Sequence, residues 1–253
     1  MLSKNQIKLI RSLELKKNRK REGLFVAEGP KVVNDLLTAG YKARAIYSTN
    51  DQISDDDYSI KEQITEEELH RISFLQHPQQ VLAVMEIPEV ARQPISEDDI
   101  ALPSTKLCLA LDGVQDPGNV GTILRIADWF GIDTVFCSLD TADVYAPKVV
   151  QATMGSLAHV RVIYTDLVAL LQGAEYPVYG TLLDGQDIYG EELSAHGIIV
   201  MGNEGNGISP EVRQLVSHRL LIPNYHTDSH TAESLNVAIA TAITCAEFRR
   251  RTR

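Results

Sequence analysis

One carboxylate stands where a glycine-rich loop would ordinarily cradle phosphate. The segment Gly202-Asn203-Glu204-Gly205-Asn206-Gly207 spaces its glycines as Gly-x-x-Gly-x-Gly, the reverse of the dinucleotide fingerprint. Glu204 would repel a pyrophosphate at a helix N-terminus and would favour a cationic ligand. A sulfonium donor such as S-adenosylmethionine, with its neutral adenine, meets that requirement better than a dinucleotide does. A purely structural turn is the alternative reading.

Two further segments carry polar groups at apolar boundaries. In DGVQDPGNVGTILRIADWFG, residues 112–131, Pro117-Gly118 forms a turn and Asn119 is placed to cap the following helix. Arg125 lies roughly 120° around that helix from Asn119, between Leu124 and Ile126. It either needs an anionic partner or snorkels to solvent. In IPNYHTDSHTAESLNVAIATAI, residues 222–243, Ser234 and Asn236 open a helix rich in alanine. His226 and His230 have the spacing of metal ligands but lie in a loop flanked by polar residues, so no metal is expected. Cys108, Cys137 and Cys245 form no Cys-x-x-Cys pair and read as buried thiols.

The elements that must position these groups fall into two halves. Helices at 4–14, 30–38 and 65–75 alternate with strands at 23–29, 43–49 and 80–87. Residues 88–105 are rich in proline and acid, lack periodicity and read as a linker. The expected domains are therefore 1–90 and 106–253, joined by 91–105. In the second half, apolar strands at 106–112, 133–139, 159–164, 177–183, 197–202 and 218–223 are separated in several places by helices, including 119–131 and a last one from about 235 to 250. Continuous apolar strands with intervening helices imply an α/β fold with a mostly parallel sheet covered on both faces. Such a sheet binds ligands beyond the carboxyl ends of its strands, which is where the three polar segments stand.

The chain has 253 residues, a net charge of −10 and no apolar run long enough to span a bilayer. It lacks the apolar core of a signal peptide at its start, so a cytoplasmic location is expected. The acidity argues against wholesale nucleic-acid binding, but the charge is uneven. Residues 1–22 carry eight basic side chains against Glu14 and Glu22, and Arg249, Arg250, Arg251 and Arg253 crowd the other end. Basic segments on an acidic body can bind phosphate locally, or can simply be solvated.

Together the three segments resemble, in order, the three motifs of the SpoU, or TrmH-like, RNA ribose 2′-O-methyltransferases: DGVQDPGNVGTILRIADWFG, IIVMGNEGNGIS and IP…ESLNVAIATAI. NRKREGLFVAEGPKVVNDLLTAG with HPQQVLAV is similar to the substrate-binding domain often fused to that family, a ribosomal-protein-like α/β fold that binds RNA.

The resemblance implies a deep trefoil knot at the C-terminal end, a homodimer, S-adenosylmethionine as methyl donor and structured RNA as substrate, ribosomal before transfer RNA. Carried over by position, it places Asn119, Arg125, Glu204, Ser234 and Asn236 at the catalytic site. It assigns the cofactor to Thr181, Leu182, Gly202, Asn203, Glu204, Gly205, Ile222, Pro223, Leu235 and Asn236, mostly through backbone groups. RNA would meet Arg125 and the cluster Lys16, Lys17, Arg19, Lys20 and Arg21. The loop from Pro223 to Ser234 is longer than the usual short form. Two rivals stand beside this reading: a nonenzymatic RNA-binding assembly factor on the same fold, and a nucleotide-dependent enzyme on a doubly wound sheet.

Overall fold

The computed structural model describes residues 1–50, 61–225 and 234–251. They form two compact units.

The first unit comprises Met1–Gln93 together with Asp143–His159. Its helices are α1 (Lys4–Ser12), α2 (Lys16–Glu22), α3 (Pro30–Thr38) and α4 (Glu66–Ile72); its strands are β1 (Leu24–Glu28), β2 (Ala43–Ser48), β3 (Lys61–Gln63) and β4 (Val81–Glu86). The sheet order is β1-β4-β2-β3, antiparallel except for the β2–β3 pair. Capping boxes fix two helix starts, Ser3 with Gln6 and Thr65 with Glu68. Ile10, Leu13, Val26, Ile72 and Leu82 centre the core.

Two features depart from the sequence reading. The basic run 16–22 forms a helix of its own, α2, stopped by Gly23 in the left-handed conformation at φ +66°. Residues 143–159, expected with the second half, belong to this unit and carry the helix α7 (Pro147–Thr153). Tyr145 packs its ring 4.9 Å from that of Phe25, and Asp143 pairs with Arg19. Partners so distant along the chain leave no local periodicity to read.

The second unit comprises Pro94–Ala142 and Val160–Arg253. Its six strands are β5 (Leu107–Asp112), β6 (Thr134–Cys137), β7 (Arg161–Tyr164), β8 (Val178–Asp187), β9 (Gly197–Gly202) and β10 (His218–Leu221). They run in the order β10-β8-β9-β5-β6-β7 with every neighbouring pair parallel. All six residues of β5 and of β9 are buried, as expected of central strands covered on both faces. Helices α5 (Glu97–Ala101), α6 (Pro117–Trp129), α8 (Leu167–Leu171), α9 (Pro210–Arg213) and α10 (Val237–Arg251) complete the unit.

The stretch read as a linker is ordered in part. Ser96 and Asp99 form a capping box for α5, and Asp99 also holds Arg161 through two hydrogen bonds. Asn119 is not the cap of its helix. Asp116 accepts the Asn119 N–H at 2.8 Å and Pro117 takes the first helical position, so the Asn119 side chain is free for other partners.

Arg249, Arg250 and Arg251 have structural roles, and Arg253 lies outside the described residues. Arg249 donates to the carbonyls of Phe130 and Gly131 at 2.7 and 2.8 Å, just past the end of α6. Arg251 reaches the carbonyls of Ile188, Tyr189 and Glu191. Buried Glu247 accepts from both Arg250 and Arg251, which hold its pKa down to about 2.

Candidate active site

Residues of β8, the turn after β9 and the chain at and beyond the end of β10 surround a cavity of about 490 Å³. Its size lies within the ~300–1,000 Å³ typical of small-molecule sites. Thr181 and Leu182, on β8, form one wall. The turn after β9 supplies Gly202, Asn203, Glu204 and Gly205. Ile222, Ser234 and Leu235 close another side. Eight of the ten expected cofactor positions thus converge, while Pro223 and Asn236 are not among the described lining residues.

The β9 turn is tight for a stated reason. Asn203 and Gly207 exchange backbone hydrogen bonds at 2.9 Å each way, and Gly207 takes φ +70°. A Cβ at Gly202 would collide with the backbone of Gly207 and Ile208, so only glycine fits there. Asn203 spends its side chain inside the loops. Its Oδ1 accepts from Gly205 and Asn206, and its Nδ2 donates to the Gly113 carbonyl at 2.6 Å. Asp112 at the end of β5 accepts the Ser209 N–H at 2.6 Å.

Glu204 binds the first polar segment to the second. Its carboxylate accepts Asn119 Nδ2 at 2.9 Å and the backbone N–H groups of Asp116 and Gln115 at 3.2 and 3.3 Å. Partial desolvation pushes its pKa up, but the hydrogen bond from Asn119 and those from backbone N–H groups outweigh it and hold the group below the usual carboxylate range. Asn236 brings in the third segment. Its Oδ1 accepts the N–H groups of Ala238 and Ile239 at the start of α10, and its Nδ2 donates to Asn119 Oδ1 at 3.0 Å. Glu204, Asn119 and Asn236 therefore form one continuous hydrogen-bonded row. Ser234 is exposed at the cavity.

Arg125 does not join that row. It is exposed on α6 and has no hydrogen bond or ion pair to any described residue. Within the N-terminal cluster of five basic residues expected to meet RNA, Arg19 is a correction. It is buried, donating to the Leu13 and Glu14 carbonyls at 2.7 Å and pairing with Asp143, so it offers no free cation. Lys16, Lys17, Lys20 and Arg21 are exposed on α2. His226, His230 and the loop 226–233 lie outside the described residues, and among the described residues no cluster could hold a metal ion. The three cysteines are buried, and burial raises the Cys108 and Cys245 thiols to about 12.

The sequence reading missed two charged residues on the cavity wall. Arg213, at the end of α9, pairs with Asp184 on β8. Nothing in their spacing announces the pair, since 29 positions separate them.

Residues 106–246 match the SpoU rRNA Methylase family, and residues 4–83 match the MRM3-like substrate binding domain. The 23S rRNA (guanosine(2553)-2′-O)-methyltransferase RlmP of Bacillus subtilis is 31% identical over 95% of each chain. A solved TrmH-family structure from Porphyromonas gingivalis is 45% identical, covers 99% of each chain and superposes with a TM-score of 0.85. The solved AdoMet-bound rRNA methyltransferase from Sinorhizobium meliloti is 29% identical, covers 100% of this chain and 97% of that one, and has a TM-score of 0.84.

Proposed function

This chain belongs to the SpoU rRNA methylase family, and on that premise we propose that it transfers a methyl group from S-adenosylmethionine to a ribose 2′-hydroxyl of ribosomal RNA. The observation that carries the proposal is the hydrogen-bonded row Glu204-Asn119-Asn236, which ties three strand-end loops together beside one cavity. Ribosomal RNA is preferred to transfer RNA because a relative matched over 95% of its length is named for 23S rRNA.

The cavity fits the donor. Apolar side chains of Leu182, Met201, Ile222 and Leu235 suit a flat heterocycle, and Glu204 adds the negative potential that suits a cation. Bound there, S-adenosylmethionine supplies an electrophilic methyl group. Thr181, Leu182, Gly202, Ile222 and Leu235 would hold it.

The chain's own residues do the positioning. Glu204 already accepts from three N–H donors, and its lowered pKa makes it a weak base. It orders the site and does not take the hydroxyl proton. Asn119 and Asn236, fixed by the same row, shape the face presented to the ribose. Arg125 offers a planar fork of donors to an RNA phosphate or ribose oxygen. Its guanidinium stays charged and holds the acceptor in place for attack; such orientation supplies up to ~7–11 kcal/mol in favourable cases.

The first unit serves as the RNA-binding domain, with Lys16, Lys17, Lys20 and Arg21 toward phosphates. The second unit is the knotted one, and an experimental trace of residues 226–233 along an unthreaded path would overturn that. The protein acts as a homodimer. Trp129 on α6 is 85% exposed and Ile239 on α10 is 53% exposed, an apolar surface on two packed helices that a second copy would cover. Sedimentation of the wild type as a monomer at micromolar concentration would remove this claim. No described helix is long and apolar enough to cross a membrane, and a cytoplasmic site follows from the substrate; recovery of the protein in a membrane fraction would contradict it.

The deciding experiment maps ribose methylations in total RNA with and without the gene. One ribosomal 2′-O-methyl should disappear. Loss of a transfer-RNA methyl instead would move the substrate, and no change together with no S-adenosylmethionine binding by calorimetry would favour a nonenzymatic role.

A further inference from the structure

We propose that Asp184 and Arg213 form the subsite for the α-amino-carboxylate end of the methyl donor; this rests on the cofactor reading above. Both line the cavity, and among its described lining residues Arg213 is the one cation. The other lining carboxylate, Glu204, is consumed by Asn119 and two backbone N–H groups. The rest of the described wall is apolar side chain, amide, hydroxyl and backbone, which would leave a zwitterion unpaired. Among the described residues, Asp184 and Arg213 are therefore the opposite charges on that wall able to receive both ends of an amino acid.

The pair is arranged for exchange. Arg213 and Arg219 both donate to Asp184 Oδ2, Arg219 at 3.3 Å, while Oδ1 has no partner among the described residues. Their side chains are about half solvated, 41% for Arg213 and 49% for Asp184. Arg213 can thus turn its guanidinium to a carboxylate without stranding Asp184, because Arg219 remains on it. The free Oδ1 is left to accept an ammonium. A guanidinium fork bound to a carboxylate is among the stronger and more directional interactions available.

Calorimetry on the full-length protein tests this with three probes: S-adenosylmethionine, S-adenosylhomocysteine and 5′-methylthioadenosine. The last two are both uncharged thioethers at sulfur and differ at the amino-acid end. Arg213→Gln and Asp184→Asn should weaken the first two by about 10- to 100-fold, the worth of a charged hydrogen bond, and leave 5′-methylthioadenosine within about twofold. Arg213→Lys keeps the charge without the fork, should show a smaller loss confined to the same two ligands, and serves if the glutamine variant fails to fold. Equal weakening of all three ligands, or of none, overturns the subsite. Failure of the wild type to bind any of the three overturns the cofactor reading itself.

Discussion

Asn236 Nδ2 donates to Asn119 Oδ1 at 3.0 Å, joining two side chains 117 positions apart. The bond fixes which way each amide points. Asn236 must give its oxygen to the N–H groups that open α10, so its nitrogen faces Asn119; Asn119 must then turn its own nitrogen to Glu204. Asn119→Asp would set a carboxylate against Glu204 and delete a donor. Each broken bond of this kind costs about 1–3 kcal/mol. Methyl transfer should fall by about 10- to 100-fold, with a smaller loss for Asn119→Ala, which creates no repulsion. A stopped assay with labelled donor and rRNA fragment checks this; unchanged rates in the aspartate variant would show that the row has no functional part.

Arg125 makes no hydrogen bond or ion pair to a described residue that its removal would break. Arg125→Ala should therefore leave the melting temperature and donor affinity unaltered while turnover falls below about 1% of wild type, as expected when an orienting group is removed. Arg125→Lys should recover little, since an ammonium lacks the fork. Near-normal turnover in the alanine variant would dismiss the assignment.

The basic residues of α2 should separate into two classes. Neutralising Lys16, Lys17, Lys20 and Arg21 should weaken RNA binding at low salt and flatten its salt dependence, by a slope of about 0.7–0.9 for each phosphate no longer neutralised. Folding should change by less than about 1 kcal/mol for each side chain, because all four are exposed and a surface pair such as Arg21 with Glu22 contributes little. Arg19→Met should do the opposite. It strands Asp143 and two carbonyls, and breaking a buried pair costs about 3–5 kcal/mol. Filter binding across a salt series and thermal melts distinguish the two.

Glu247 sets an acid limit on α10. Its hydrogen bonds from Arg250, then Arg251, depress its pKa from 4.5 to about 2. A depressed carboxylate stabilises the fold fully above its unfolded value and loses that contribution as pH falls through the folded one. The wild type should lose this part of its stability between about pH 4.5 and 2. Glu247→Gln should be less stable at neutrality and show a flatter pH dependence in that range. Parallel denaturant curves for the two proteins would refute it.

What the sequence disclosed was what short-range patterning encodes. The apolar runs that became β5 and β9 read directly as buried parallel strands, because both faces of each are covered. Two of the three polar segments at strand ends line the cavity, since parallel sheets open there. Long-range bonds left no trace. Asn119 read as a helix cap because Asx residues favour that position, yet Asp116 beside Pro117 holds it. Arg19 read as one more surface cation because its charge cluster hid that its carbonyl partners lie five and six residues back and Asp143 lies 124 away. Asp184 and Arg213 were invisible for the same reason.

The return of Asp143–His159 to the first unit bears on any attempt to dissect the protein genetically. A fragment cut after Gln93 would lack α7, take the Tyr145 ring away from Phe25, and deprive the Arg19 guanidinium of its carboxylate. Fragment swaps between relatives would therefore need to exchange two stretches of gene, not one, to yield a soluble piece.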